Sequence, residues 1–133
     1  LIFLDTSAIY ALSDRGDPHH EEAREKFEAI LEGGIPLLLH DYILVESIAL
    51  VQSRLGQPVA WRLARESTAF EIVWVDEALF DRAVRMWGKR SSGRVSFVDQ
   101  VSFLVMKERR VRVAFAFDQD FIREGFELLD DEP

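Results

Sequence analysis

Leu1-Ile2-Phe3-Leu4-Asp5-Thr6-Ser7-Ala8 opens the chain, and Val113-Ala114-Phe115-Ala116-Phe117-Asp118 repeats its pattern near the other end: an unbroken apolar run closed by an aspartate. A run without polar alternation suits a strand buried on both faces, as in a parallel sheet covered by helices. In such folds ligands bind beyond the carboxyl ends of the strands, where side chains from several loops converge. The two runs therefore deliver Asp5 and Asp118 to one rim. Asp is also a favoured helix N-cap after a strand, so a purely local role stands beside the functional one for each.

Working outward, apolar runs of strand length alternate with segments of helical period, the pattern of βα units. Strands are expected at Ile2 to Leu4, Leu37 to Leu39, Ile72 to Val75, Val113 to Phe117 and, at an edge, Phe126 to Leu129. Helices are expected at Ala8 to Leu12, Pro18 to Leu31, Tyr42 to Leu55, Val59 to Ser67, Glu77 to Trp87 and Phe97 to Arg109. Asp17-Pro18 reads as an N-cap and first-turn proline, Gly33-Gly34 and Gly56 as helix stops, and Gly88 to Arg94 as a polar, basic loop. The expected fold is thus α/β, one domain over residues 1–129 with a mainly parallel five-stranded sheet flanked by helices, followed by a frayed acidic tail at 130–133.

At 133 residues the chain can bury a core without staples, and its lack of cysteine excludes disulfides, Cys-ligated zinc and thiol catalysis. No apolar run is long enough to span a membrane, and the opening lacks the charged start and long apolar stretch of a secretory signal, so a cytoplasmic protein is expected. A net charge of −8 argues against holding nucleic acid by bulk electrostatics. Any RNA contact must be local or metal-assisted.

Two further acids stand out. Glu46 has Tyr42, Ile43, Ala49 and Leu50 at its helical neighbours, which places it on an inward face where ionisation is costly unless the carboxylate pairs with a buried Arg or binds a metal. Asp99 lies early in a helix that is apolar on most sides, where it either completes a capping box with Ser96 or directs its carboxylate at a cation. Carboxylates held close together repel, and a hard, oxygen-preferring cation offsets that repulsion, which points to Mg2+ or Mn2+. Zinc is disfavoured because His19, His20 and His40 show no ligand spacing with these acids. His19-His20 reads as an exposed helix start.

Taken in order, Asp5-Thr6-Ser7-Ala8, Glu46 in an apolar helix, Ser96-Phe97-Val98-Asp99 and Phe117-Asp118-Gln119-Asp120-Phe121 resemble the PIN-domain family across essentially the whole chain. The likeness is closest to the small toxin ribonucleases of toxin-antitoxin pairs. It implies that Asp5, Glu46, Asp99 and Asp118 bind one or two Mg2+ or Mn2+ ions and cut RNA. It further implies that Thr6 or Ser7 supports the first acid, that Ser96 matches a polar position before the third, and that the protein is a homodimer with a small antitoxin as partner. Asp120 falls where relatives vary, and an added ligand, a water-orienting acid and an N-cap are all open for it.

The expected reaction is hydrolysis of RNA phosphodiester bonds by water, with metal assistance. Lys89, Arg90 and Arg94 form the densest basic stretch and run into the helix bearing Asp99, so they are the expected RNA contacts; an ordinary solvated loop is the alternative. Trp61, Trp74 and Trp87 fall on apolar positions and are expected in core or dimer packing. Two other classes fit less well. One is an inactive PIN-like interaction module, against which the intact acids count. The other is an aspartyl phosphoacceptor or phosphatase-like domain, which would want a Lys or Arg beside its aspartate.

Overall fold

The computed structural model describes residues 1–130, and residues 131–133 of the acidic end expected to fray lie outside the described residues. Five strands, β1 (Ile2–Leu4), β2 (Leu37–His40), β3 (Glu71–Val73), β4 (Val113–Phe115) and β5 (Glu127–Leu128), form one sheet in the order β3-β2-β1-β4-β5. Every pairing is parallel, with Phe3 opposite both Leu38 and Ala114. The crossovers that parallel pairing requires are helical. They are α1 (Thr6–Ser13) and α2 (His20–Glu32) after β1, α3 (Asp41–Leu55) and α4 (Gln57–Glu66) after β2, α5 (Glu77–Gly88) and α6 (Phe97–Arg109) after β3, and the single turn α7 (Asp120–Arg123) after β4.

The chain builds outward from β1 through β2 to β3, then returns to place β4 and β5 on the other side of β1. The order reverses between β1 and β4, and at such a switch point the loops leaving the two strands diverge and open a crevice at their carboxyl ends. Asp5 and Asp118 follow those two strands. Apart from His40 at the end of β2, the central strands are apolar because both faces are covered: Phe3, Leu4, Leu38, Leu39, Ala114 and Phe115 are all buried. Phe121 of α7 packs against Phe3 and edge-on to Phe103 of α6, closing the core beneath the crevice. As its apolar character predicts, α6 is central, with every residue from Gln100 to Met106 buried.

Three local expectations are corrected. Pro18 lies outside α2, which begins at His20, because the Asp17 carboxylate accepts the His19 N–H and closes a turn ahead of the helix. Short polar side chains compete with the helix for backbone groups in this way. The strand expected to reach Phe117 ends at Phe115, since the Phe117 N–H donates to the Ser7 hydroxyl instead of a neighbouring strand. Of the core or dimer packing expected for Trp61, Trp74 and Trp87, the core is ruled out, since all three are exposed. Gly56 both ends α3 and starts α4 at φ +97°, a conformation that side-chain-bearing residues avoid, which lets two helices meet without a connecting loop. No helix among the described residues is long and apolar enough to cross a membrane.

Candidate active site

Asp5 is the N-cap of α1 and is buried, so the capping and functional readings hold together. Its Oδ2 accepts hydrogen bonds from the Ser7 hydroxyl at 2.7 Å and the Ser7 N–H at 3.2 Å. The same hydroxyl accepts the Phe117 N–H at 2.9 Å, while the Asp5 N–H donates to the Phe115 carbonyl at 3.1 Å. Ser7 thus stitches the ends of β1 and β4 together and sets where their aspartates stand. Burial pushes the Asp5 carboxyl up to about 6; the Ser7 hydrogen bonds oppose this and the Asp118 charge adds to it.

Asp99 enters from the first turn of α6. Ser96 caps that helix by accepting the Asp99 backbone N–H at 3.1 Å, which leaves the carboxylate to face the other acids. Burial raises it to about 7, helped by the charges of Asp5, Asp118 and Glu46 and opposed by the Ser96 hydroxyl. Such a carboxyl is poorly suited to standing alone at neutral pH.

Asp118 accepts the Asp120 N–H at 2.9 Å, a tight turn that brings Asp120 back towards the same crevice. Oxygens of Asp99, Asp118 and Asp120 all lie within 4.8 Å of one another. Asp120 is buried and also accepts from the Arg123 guanidinium at 2.6 Å. Its place in the cluster goes beyond an N-cap role, since Gln119 holds the cap position of α7.

Glu46 requires a correction. It is exposed, because the buried residues of α3 are Ile43, Leu44, Ser47 and Val51, and an apolar sequence neighbourhood does not make every side of a helix internal. Its partner is the Thr6 hydroxyl, which donates to Oε1 at 2.9 Å, rather than a buried Arg. Ser47 donates in turn to Thr6 at 3.3 Å. Glu46 therefore stands at the rim, tied to the residue after Asp5 and near enough in charge to raise Asp99.

The basic loop divides. Lys89 and Arg94 are exposed, whereas Arg90 is half-buried. Its Nε donates to the buried Gln100 side chain, another guanidinium nitrogen pairs with Glu124, and the group lies 5.6 Å from the Phe103 ring centre. Arg90 joins α6 to the end of α7, so its guanidinium is committed to internal partners, unlike the free loop cation expected from sequence. Arg123 escaped sequence reasoning; its spacing of three residues from Asp120 on one helical turn was the available signal. The histidines lie apart from the acids in role. His19 stacks on Phe117, His20 bonds the Ala11 carbonyl, and buried His40 accepts the Ile43 N–H while its other nitrogen meets Ser102. Burial holds His40 down at about 3, so it is neutral.

A hard divalent cation fits this donor set. The groups are carboxylate oxygens, they come from separate strand ends and helices, and Asp5 and Asp99 resist ionisation without a compensating charge. A family model described as the PIN domain matches residues 2–127. The 23S rRNA-specific endonuclease VapC20 of Mycobacterium tuberculosis is 32% identical over 129 residues, 95% of each chain. Ribonuclease VapC26 of the same organism is 24% identical over 120 residues, covering 89% of this chain and 87% of that one. The crystal structure of M. tuberculosis VapC20, a sarcin-ricin loop cleaving toxin, superposes with a TM-score of 0.83 at 31% identity, over 95% of this chain and 96% of the other. With the parallel sheet, the acids at its switch point and these likenesses in agreement, the chain belongs to the PIN-domain family.

Proposed function

We propose that this protein is a metal-dependent endoribonuclease, the toxin of a toxin-antitoxin pair, which hydrolyses RNA phosphodiester bonds at the crevice between β1 and β4. The observation that carries the reading is the convergence of Asp5, Asp99, Asp118 and Asp120 at that crevice, with Glu46 at its rim, in a chain that aligns over 95% of its length with an rRNA endonuclease. Asp5, Asp99 and Asp118 hold Mg2+ or Mn2+, with Asp120 as a further ligand and Glu46 either holding a second ion or orienting water. When bound, the cation acidifies water and offsets charge on the scissile phosphate. The chain's own part is positional. Ser7 holds Asp5 against the end of β4, Thr6 holds Glu46 at the rim, and Ser96 fixes the start of the helix from which Asp99 projects. Burial of Asp5 and Asp120, and partial burial of Asp99 and Asp118, keeps these acids poorly solvated, where they bind a cation more tightly than surface carboxylates would.

Lys89 and Arg94 are exposed cations on the segment that runs into the start of the Asp99 helix and are assigned to the RNA backbone. The protein works in the cytoplasm, as a homodimer through the exposed apolar positions of α3 and α4, Val45 and Trp61 among them, and a small antitoxin closes the site. A phosphoacceptor aspartate would want a cation beside it, whereas Asp5 has a hydroxyl and carboxylates for neighbours.

The test pairs binding with turnover. Millimolar Mg2+ or Mn2+ should raise the melting temperature of chelator-treated protein, since an ion bound only by the folded state stabilises it by mass action. The same ions should support cleavage of a synthetic sarcin-ricin stem-loop. A melting curve indifferent to both metals and chelator refutes the metal site, and a metal-stabilised protein that leaves RNA intact points to the inactive interaction module.

A further inference from the structure

Asp120 borders two places at once: the acid cluster, and a separate cleft of about 340 Å³ bounded by Lys89, Ser91, Ser92, Arg94 and Arg123. The chemistry of this cleft is the reverse of its neighbour's. In a chain of net charge −8, it gathers four cations, counting Arg90 in its wall, against the two carboxylates Asp120 and Glu124. Both carboxylates are already engaged, Asp120 by Arg123 and Glu124 by Arg90. The surplus is positive and rich in donors, with two serine hydroxyls besides.

The segment that forms it is also held in place. Arg90 is anchored to Gln100 and Glu124, the Trp87 indole N–H donates to the Val95 carbonyl at 2.8 Å, and Ser92 accepts the Arg94 N–H at 3.2 Å. A loop that only faces solvent has no need of a half-buried, doubly anchored arginine beneath it. Fixing the loop beforehand lowers the ordering cost of binding, so Lys89 and Arg94 act from a prepared frame.

We propose that this cleft is a phosphate subsite that receives the RNA phosphate next to the scissile one, with Lys89, Arg94 and Arg123 as its charged contacts and Ser91 and Ser92 as neutral donors. The inference rests on the ribonuclease reading and adds to it a defined place for the flanking nucleotide. Arg123 links the two sites, because its guanidinium holds Asp120 and lines the cleft. The RNA backbone then passes from a carboxylate-lined crevice that needs a cation to a cleft that supplies its own positive charge. Arg90 has a positioning role.

The experiment measures binding of a fluorescent sarcin-ricin stem-loop by anisotropy across a salt series. Ca2+ replaces Mg2+ to slow cleavage, and a gel checks that the RNA is intact. Lys89→Gln, Arg94→Gln and Arg123→Gln are compared with the parent and with Arg112→Gln, an exposed cation at the amino end of β4, away from both sites. Each cleft variant should weaken binding about three- to ten-fold and flatten the slope of log affinity against log salt by about 0.7–0.9, the signature of one lost phosphate contact. Arg112→Gln should keep the parent slope. Lys89 and Arg94 are exposed, so their variants keep the test sound even if Arg123→Gln disturbs Asp120. Parental slopes in the Lys89 and Arg94 variants, or an equal flattening in Arg112→Gln, overturn the subsite. Failure of the parent itself to bind the RNA is a different result and removes the nuclease reading along with it.

Discussion

Asp99→Asn removes one charge from the acid cluster while leaving the helix start intact, because Ser96 caps α6 through the backbone N–H of residue 99, which the change does not touch, and an Asn side-chain oxygen can still accept from the Ser96 hydroxyl. The Asp99 carboxyl is raised from 3.8 to about 7, chiefly by burial and then by the charges of Asp5 and Asp118. Taken at face value, a shift of this size is roughly 4 kcal/mol of penalty on the ionised form. Asp99 keeps some contact with solvent, and screening reduces the figure to about 1–2 kcal/mol. In chelator at pH 8 the Asn variant should therefore melt about 3–10 °C above the parent. The gain should shrink at pH 5, where the parent's Asp99 is already protonated in the folded state. With Mg2+ the order changes: the metal-induced rise in melting temperature should fall, and cleavage should drop by about 100-fold or more, beyond the loss usual for an outer partner of a metal site. Differential scanning fluorimetry at both pH values, with and without metal, and a gel assay of stem-loop cleavage read all of this. An Asn variant less stable than the parent in chelator, yet cleaving RNA at the parent rate, would refute the reasoning.

Ser7→Ala takes the hydroxyl from the Asp5 carboxylate and the acceptor from the Phe117 N–H together, and should cost about 1–3 kcal/mol and weaken Mg2+ binding; parental stability and parental metal affinity in a Mg2+ titration would contradict the stitching role. The metal-free protein should lose stability as pH rises. Asp5 and Asp99 have folded-state values near 6 and 7 against 3.8, so their contribution is fully present below about 3.8 and is lost as pH climbs through 6 to 7. Melting curves in chelator from pH 5 to 8 should show this decline, and saturating Mg2+ should flatten or reverse it because protons compete with the cation. Light scattering at micromolar concentration should report a dimer, which Trp61→Glu weakens; a monomeric parent would leave the exposed α3 and α4 positions to another partner.

What could be read in the sequence was what local pattern dictates. The apolar runs Ile2–Leu4, Leu37–Leu39 and Val113–Phe117 mark strands covered on both faces, and an aspartate directly after such a run stands at the sheet's functional edge whatever the rest of the chain does. That placed Asp5 and Asp118, and the apolar α6 announced its own burial and carried Asp99 with it. Tertiary structure decided what depends on contacts between distant segments. Glu46 looks internal among apolar sequence neighbours and is exposed, because which faces of α3 are covered depends on where α1 and α4 pack, and no helical period encodes that. Arg90 looks like a surface cation and is held by Gln100, Glu124 and Phe103, partners 10, 34 and 13 residues away. Asp120 could be a cap, a ligand or neither until the turn at Asp118 folded it back on the cluster. Period and propensity act over a few residues, whereas the position of a charge relative to water and to other charges is set by the packing of the whole chain.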